Sequence, residues 1–530
     1  MFYSAWIDHR TTITALIVIS ATLAVSIAIL LYAVRPVGTK RSASGRRPIL
    51  PPGPRGVPIL GNLLDIANQR DPEHKFLRSI TKYGEMTTLH MGSKTWIMLN
   101  SKRVASEIIS KRGAITNERT RMPMSHEILS RNSRTLLAPL NRWHEPRRLL
   151  SSLMLTGSAL QRYGAFQELE SDQLMAEYIS QPHLWFRHNY RYANSVIHRI
   201  ATGAKSHIEN EDLKNLQQVT TVFLDSIGSS IIDWFPLLHS IPRPLQFWRS
   251  YWEERGQWTY DVLKAWWDPI RASVDNGTAN PSFVRDTLLN PESKYQGADE
   301  EAMYLGMTLI EAGSDTSRMV LNTLAMAAVH YPEAWAKARQ EVDSICDTPA
   351  GLRLPLMSDL KDMPYCCAIV KELLRWRPIF PYPPDHTLTQ DLAFEGYFFP
   401  KGTSMVMNLI AIGDECEEPE VFKPERWLNG HEADITHDLW QFGGGRRICV
   451  GYRLAQTGTF INVARFAMCF DYEATGKLNS LELNHETLEE PFPISVKPRG
   501  SKYKQLILDE AESASVLDVA KNSLSTGRRT

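Results

Sequence analysis

One cysteine in this chain is placed for metal chemistry. Phe442-Gly443-Gly444-Gly445-Arg446-Arg447-Ile448-Cys449-Val450-Gly451 sets Cys449 behind a glycine-rich loop, two residues after Arg447 and two before Gly451. A helix-like segment, Tyr452 to Phe470, follows. A thiolate here could ligate haem iron as a fifth ligand and push electron density toward dioxygen, favouring O–O cleavage. The glycines let backbone approach a flat macrocycle where a side chain would clash. Backbone N–H groups at the helix start would offset part of the charge on sulfur. Arg447 could pair with a haem propionate. Taken alone, a cysteine in a turn is more often a buried structural thiol, so other segments have to agree.

A second group lies in Ala312-Gly313-Ser314-Asp315-Thr316-Ser317. The pattern predicts one long helix over 299–330: Asp299 caps its start, Glu300 and Glu301 suit its first turn, and Pro332 ends it. An interior glycine costs about 1 kcal/mol of helix stability, and an acid beside hydroxyls there is unusual. If this helix crosses a haem face, Gly313 leaves room for dioxygen, Thr316 hydrogen-bonds it and Asp315 relays protons. The competing reading is a buried hydroxyl bonded back along the helix.

Charged pairs form a third group. Glu372 and Arg375, three apart in a segment ended by Pro378, share a helix face. Trp143 and Arg147, four apart, do the same, although Pro146 between them fits only the first turn of a helix. His386 stands five residues before Asp391.

In order along the chain, these segments resemble the cytochrome P450 family. The cysteine loop is similar to its F-x-x-G-x-R-x-C-x-G pattern at Phe442, Gly445, Arg447, Cys449 and Gly451, and residues 312–317 to its A-G-x-D-T-T/S stretch. Pro51-Pro52-Gly53-Pro54 resembles the proline-rich hinge of membrane-bound members. The resemblance implies a mainly α fold with small β-sheets and haem b (iron-protoporphyrin IX) on Cys449. It implies a buried network in which Arg426 of Pro424-Glu425-Arg426-Trp427 joins Glu372 and Arg375 to brace the core. It also implies that Arg147 binds a propionate with Trp143 packed nearby, and that His386 stands where the family usually has a propionate-binding Arg. Gly413 stands where a basic residue or His would be expected before Asp414.

Composition and charge bound the rest. The chain has 530 residues, 43% of them hydrophobic, enough for a sizeable core. Lys plus Arg and Asp plus Glu both total 59, so no overall basic bias points to nucleic acid. All six cysteines lie beyond residue 345, unlike a secreted disulfide scaffold. Thr11 to Val34 carries no charge; as a helix it would reach roughly 36 Å, enough to cross a bilayer. Arg35, Lys40, Arg41, Arg46 and Arg47 follow, which puts the C-terminal side in the cytosol. The expected organisation is an anchor at 1–35, a basic linker at 36–50, a catalytic domain at 51–508 and a polar, loosely ordered tail at 509–530. The fold class is thus a P450 fold preceded by a single N-terminal transmembrane helix, with the endoplasmic reticulum as the natural compartment. Strand-like pieces fall at 86–90, 95–99 and 403–407. The aromatic-rich stretch 233–268 reads as core packing, with a lid dipping into the membrane interface as the sharper alternative.

No P-loop or dinucleotide fingerprint is present, so electrons would come from NADPH through a separate cytochrome P450 reductase, with cytochrome b5 as a possible second donor. The expected activity is hydroxylation of a small hydrophobic molecule, aromatic or polyketide-like, in the manner of fungal secondary metabolism. Oxidative phenol coupling is the alternative. A non-catalytic haem sensor would not need Asp315 and Thr316, and an isomerase typically disrupts that pair. Pocket segments, by analogy, are 119–139, 303–309, 379–384 and 487–494.

Overall fold

The computed structural model describes residues 45–67, 74–204, 211–479 and 492–526. The apolar run 11–34 lies outside them. Among the described residues no helix is long and apolar enough to cross a membrane.

Eight helices carry the argument: α1 (Leu140–Met154), α2 (Gly157–Ser180), α3 (Trp185–Thr202), α4 (Arg249–Asp275), α5 (Asp299–His330), α6 (Pro364–Trp376), α7 (Tyr452–Cys469) and α8 (Ser501–Thr526). Helix α5 is central and packs on α3, α4, α6 and α7. The main core forms where these helices meet, around Trp185, Trp267, Tyr304, Phe460 and Phe466. Each such side chain, fully buried, contributes about 2–3 kcal/mol against leaving it in water.

Helix α5 has the predicted bounds, but its start is built differently. Ala298 is the N-cap and makes no side-chain bond. Asp299 instead accepts from Trp267 Nε1 at 3.0 Å and from Arg271 at 3.3 Å, so tertiary partners have taken the carboxylate from the cap.

Beside the helices lies a four-stranded sheet, with β1 (Met86–Met91), β2 (Lys94–Leu99), β3 (His386–Thr387) and β4 (Ser404–Met407) in the order β1-β2-β4-β3. β1 and β2 form an antiparallel hairpin, Met86 opposite Leu99. β4 runs parallel to β2, and β3 antiparallel to β4 with His386 opposite Met405. Both faces of β2 and β4 are buried, so their apolar runs lack clean alternation.

Two expectations are corrected. Residues 509–526 are no loose tail, because α8 runs unbroken from Ser501 to Thr526. Pro146 lies inside α1, a turn deeper than expected. The carbonyl it deprives of a partner belongs to Arg142, which is exposed to water, so the helix continues.

Candidate active site

The cysteine loop is shaped by its own backbone. Gly443 and Gly445 have φ of +76° and +60°, a region that disfavours any side chain. A Cβ on Gly445 would sit 2.2 Å from the Ile109 carbonyl oxygen. The glycine there admits another stretch of backbone. The loop closes with the Cys449 N–H on the Phe442 carbonyl at 2.8 Å. Gly451 is the N-cap of α7 and points its N–H at the Cys449 sulfur. Burial pushes the thiol up from its ordinary value, while the Gly451 N–H and the Arg147 guanidinium pull it back. The side chain is nevertheless exposed. Dense surroundings and an exposed sulfur together put it at the bottom of a concavity.

Three guanidiniums gather near this cysteine. Arg147 of α1 donates to the Ile448 carbonyl at 2.6 Å. Arg447 donates to the carbonyls of Asn117 and Ala138 at 2.7 and 2.9 Å, and its third nitrogen, Nη1, is buried without a partner. Burial, then the nearby Arg119, push Arg447 down to about 9. Arg119 donates to the carbonyls of Leu136, Pro384 and Asp385, and burial pushes it down to about 10. The Trp143 ring lies 4.5 Å from the Arg447 guanidinium and 5.9 Å from that of Arg147. Buried cations with an orphaned donor call for anionic oxygen. A dianionic haem fits this surround.

His386 stands on β3 with its ring against the Thr116 carbonyl. It is 3% exposed, and burial pushes it down to about 3, so the ring is neutral. Its Nδ1 lies 2.8 Å from the Thr116 carbonyl, which can only accept; the proton therefore sits on Nδ1. Nε2 of the neutral ring is left as an acceptor. Arg119 stands close enough to push the same ring down further. It carried no motif signal, because its partners are carbonyls up to 266 residues away.

On α5, Asp315 and Thr316 face different surroundings. Asp315 is buried and receives the Arg318 guanidinium at 3.1 Å. Burial raises its carboxyl above the ordinary range, against the pull of Arg318. Thr316 is half-buried and donates back to the Ala312 carbonyl at 2.6 Å, so the back-bonded reading of this hydroxyl is the one observed. Among the described residues no hydrogen bond joins Asp315 to Thr316, or either to the cysteine loop. A Cβ on Gly313 would lie 2.8 Å from Ile197 Cγ1, so the missing side chain admits α3.

The Glu–Arg–Arg network is formed. Glu372 is fully buried and takes Arg375 through two bonds of 2.7 and 2.8 Å, with Arg426 at 3.1 Å. Trp427 Nε1 and the Lys423 N–H add bonds of 2.8 and 2.9 Å that the pair spacing could not foretell. Where Gly413 leaves the position before Asp414 without a cation, Arg78 crosses to Asp414 at 2.9 Å.

The aromatic stretch divides. Trp234, Trp252 and Trp267 are buried, while Leu245, Phe247 and Tyr251 are exposed. Of the segment 487–494, residues 487–491 lie outside the described set; Phe492 is buried and packs 5.1 Å from Trp185, in the core rather than in a pocket.

A helical domain that turns a lone sulfur inward among buried cations has the build of a haem protein. The cytochrome P450 family model matches residues 51–497, and the chain belongs to that family. It is 30% identical over 488 residues to cytochrome P450 monooxygenase verL of Clonostachys rogersoniana, covering 86% of this chain and 88% of the relative. It is 28% identical over 513 residues to cytochrome P450 monooxygenase virE of Hypocrea virens, covering 89% and 90%. A zebrafish cytochrome P450 solved with abiraterone shares the fold, with a TM-score of 0.62 at 20% identity, over 81% of this chain and all of that one. The chain is a P450 monooxygenase similar to fungal members. Membership implies a haem iron, electrons from a reductase and a small-molecule substrate.

Proposed function

We propose that this protein is a haem-thiolate monooxygenase that hydroxylates a small hydrophobic, aromatic or polyketide-type secondary metabolite. The observation that carries it is the inward-opening Cys449 sulfur, held by the Gly451 N–H beside Arg147. Haem b bound there would supply the oxygen-activating iron, and coordination would hold the thiol deprotonated against the burial that raises it. Arg119, Arg147 and Arg447 would hold the propionates, with Trp143 packed on Arg447. Asp315, whose carboxyl is raised by burial, would take up a proton from water and pass it inward. Thr316 would hold a proton at its Oγ1 on the half-buried face of α5. Glu372, Arg375 and Arg426 keep the core behind the loop in place.

NADPH would be the electron source through its reductase, assisted by cytochrome b5. Residues 11–34 would anchor the chain in the endoplasmic reticulum membrane with the catalytic domain in the cytosol. Exposed Val57, Ile59, Leu245 and Phe247 support a lipid-facing side. Leu60 accepts from the Gly92 N–H and Trp234 from the Ser93 N–H, which ties the two apolar stretches to one turn.

The test is reconstitution with reductase, NADPH and labelled dioxygen on the metabolites of the source organism. One labelled oxygen per product supports hydroxylation; a dimer without label means coupling instead. Thr316→Ala should lower product per NADPH, by about a hundredfold at the full worth of a lost proton-transfer group. An unchanged ratio removes Thr316 from the relay.

A further inference from the structure

Between Ala302 and Ala328, α5 is buried at every position except Thr308, Glu311, Ala312, Gly313, Thr316 and Ser317. Glu311 is the one ionisable residue of that group, and nothing in the reading above uses it. Its side chain is nine-tenths buried but keeps 10% of its surface accessible, next to Ala312, the one exposed member of the group. Arg134, whose side chain is 2% exposed, forms an ion pair with Glu311 Oε1. The Arg134 guanidinium lies 4.4 Å from the Phe223 ring and 5.6 Å from the Tyr304 ring. It is therefore held in an aromatic slot behind the carboxylate.

The rest of the 119–139 segment fixes this arrangement. Arg131 and Asn132 both have left-handed backbone, with φ of +48° and +60°. Asp233 accepts from the Met124 and Ser125 N–H groups at 2.7 and 3.2 Å, fastening the segment to the start of the aromatic stretch 233–268. The carboxylate is faced by the guanidinium from one side. It offers about four acceptor sites, and Arg134 is its one ion-pair partner among the described residues.

We propose that Glu311 is the substrate-anchoring acceptor of this site, positioned by Arg134, and that the substrate carries a phenol or alcohol hydroxyl that donates to it. The pair is neutral overall, which favours a neutral donor. A carboxylate would meet like charge at Glu311, and an ammonium would meet it at Arg134. The inference rests on the haem-monooxygenase reading and adds the polar group its substrate must present.

The experiment is an optical titration of the haem-loaded full chain with 2-naphthol, 2-methoxynaphthalene and 2-naphthoate. The first two differ by one hydrogen-bond donor. The expected result is naphthol binding roughly tenfold tighter than its ether, the scale of one bond to a charged acceptor. Arg134→Met with Glu311→Met removes both charges together, so neither is left buried alone; the ratio should fall to about twofold or less. Arg134→Lys keeps the charge and should keep the ratio. Equal wild-type affinities for naphthol and ether overturn the proposal, as does a naphthol preference that survives in the double variant. Naphthoate binding tighter than naphthol also overturns it, because Arg134 would then be the anchor. Loss of the thiolate-type band in the reduced carbonyl complex of the wild type would sink the haem reading; an intact band with equal affinities sinks Glu311 alone.

Discussion

Replacing Glu372 by Gln removes one negative charge and almost no volume. Five donors converge on the carboxylate: Arg375 Nε and Nη2, Arg426 Nε, Trp427 Nε1 and the Lys423 N–H. An amide turns one of its two oxygens into a donor, which would then face at least two other donors. Arg375 would keep the carbonyls of Pro419 and Val421 but no carboxylate. Removing one partner of a buried ion pair costs about 3–5 kcal/mol, because the other charge stays buried. That is about a fifth or more of the roughly 5–15 kcal/mol that separates folded from unfolded chains. At about 2 °C per kcal/mol for a large domain, the melting temperature should fall by roughly 5–10 °C. Trp427→Phe removes a single bond to the same carboxylate, about 1.5–3 kcal/mol, and should show about half that shift. The assay is thermal unfolding of the haem-loaded protein followed by circular dichroism, with haem retention read in parallel. A Glu372→Gln protein that melts within about 1 °C of wild type would refute the reasoning, since no relaxation of a fully buried five-donor site would hide so large a loss.

Two further predictions follow from burial. Gly313→Ala gains up to about 1 kcal/mol of helix propensity but drives a methyl into Ile197, at about 1–3 kcal/mol for overpacking. The variant should lose stability, and the same Gly313→Ala change made in an Ile197→Ala background, which itself costs about 2–5 kcal/mol, should cost less or nothing in the same melting assay; an unchanged cost there would refute the steric account. Lys94 is 6% exposed, and burial pushes its ammonium down to about 8. Between pH 8 and its unfolded value near 10.4 the unfolded chain binds more protons, so stability should rise with pH through that window. Lys94→Met should flatten this rise by an amount on the order of 3 kcal/mol, read as the difference between the two proteins' melting curves at each pH.

What could be read from the sequence, and what could not, follows the range of the interaction. The bounds of α5 were legible because Glu300, Glu301 and Pro332 act on the backbone beside them. Its cap was not, since Asp299 is claimed by Trp267 and Arg271 of another helix. The Glu372–Arg375 pair was legible from a helical turn, and Arg426 from a short motif. Arg119 was not, because a buried cation satisfied by carbonyls 265 and 266 residues away leaves no local spacing to find. Gly313 marks the boundary between the two cases. Its cost to the helix is local and visible in the sequence. Its close approach to Ile197 on α3 is long-range and legible only in the fold. His386 shows the same limit at the level of one proton: residue type and place were legible, but the Thr116 carbonyl decides which ring nitrogen carries hydrogen, and with it whether the ring donates or accepts. Motif chemistry therefore locates a site such as this one, while the charge state and direction of each group are set by partners that only the folded chain brings together.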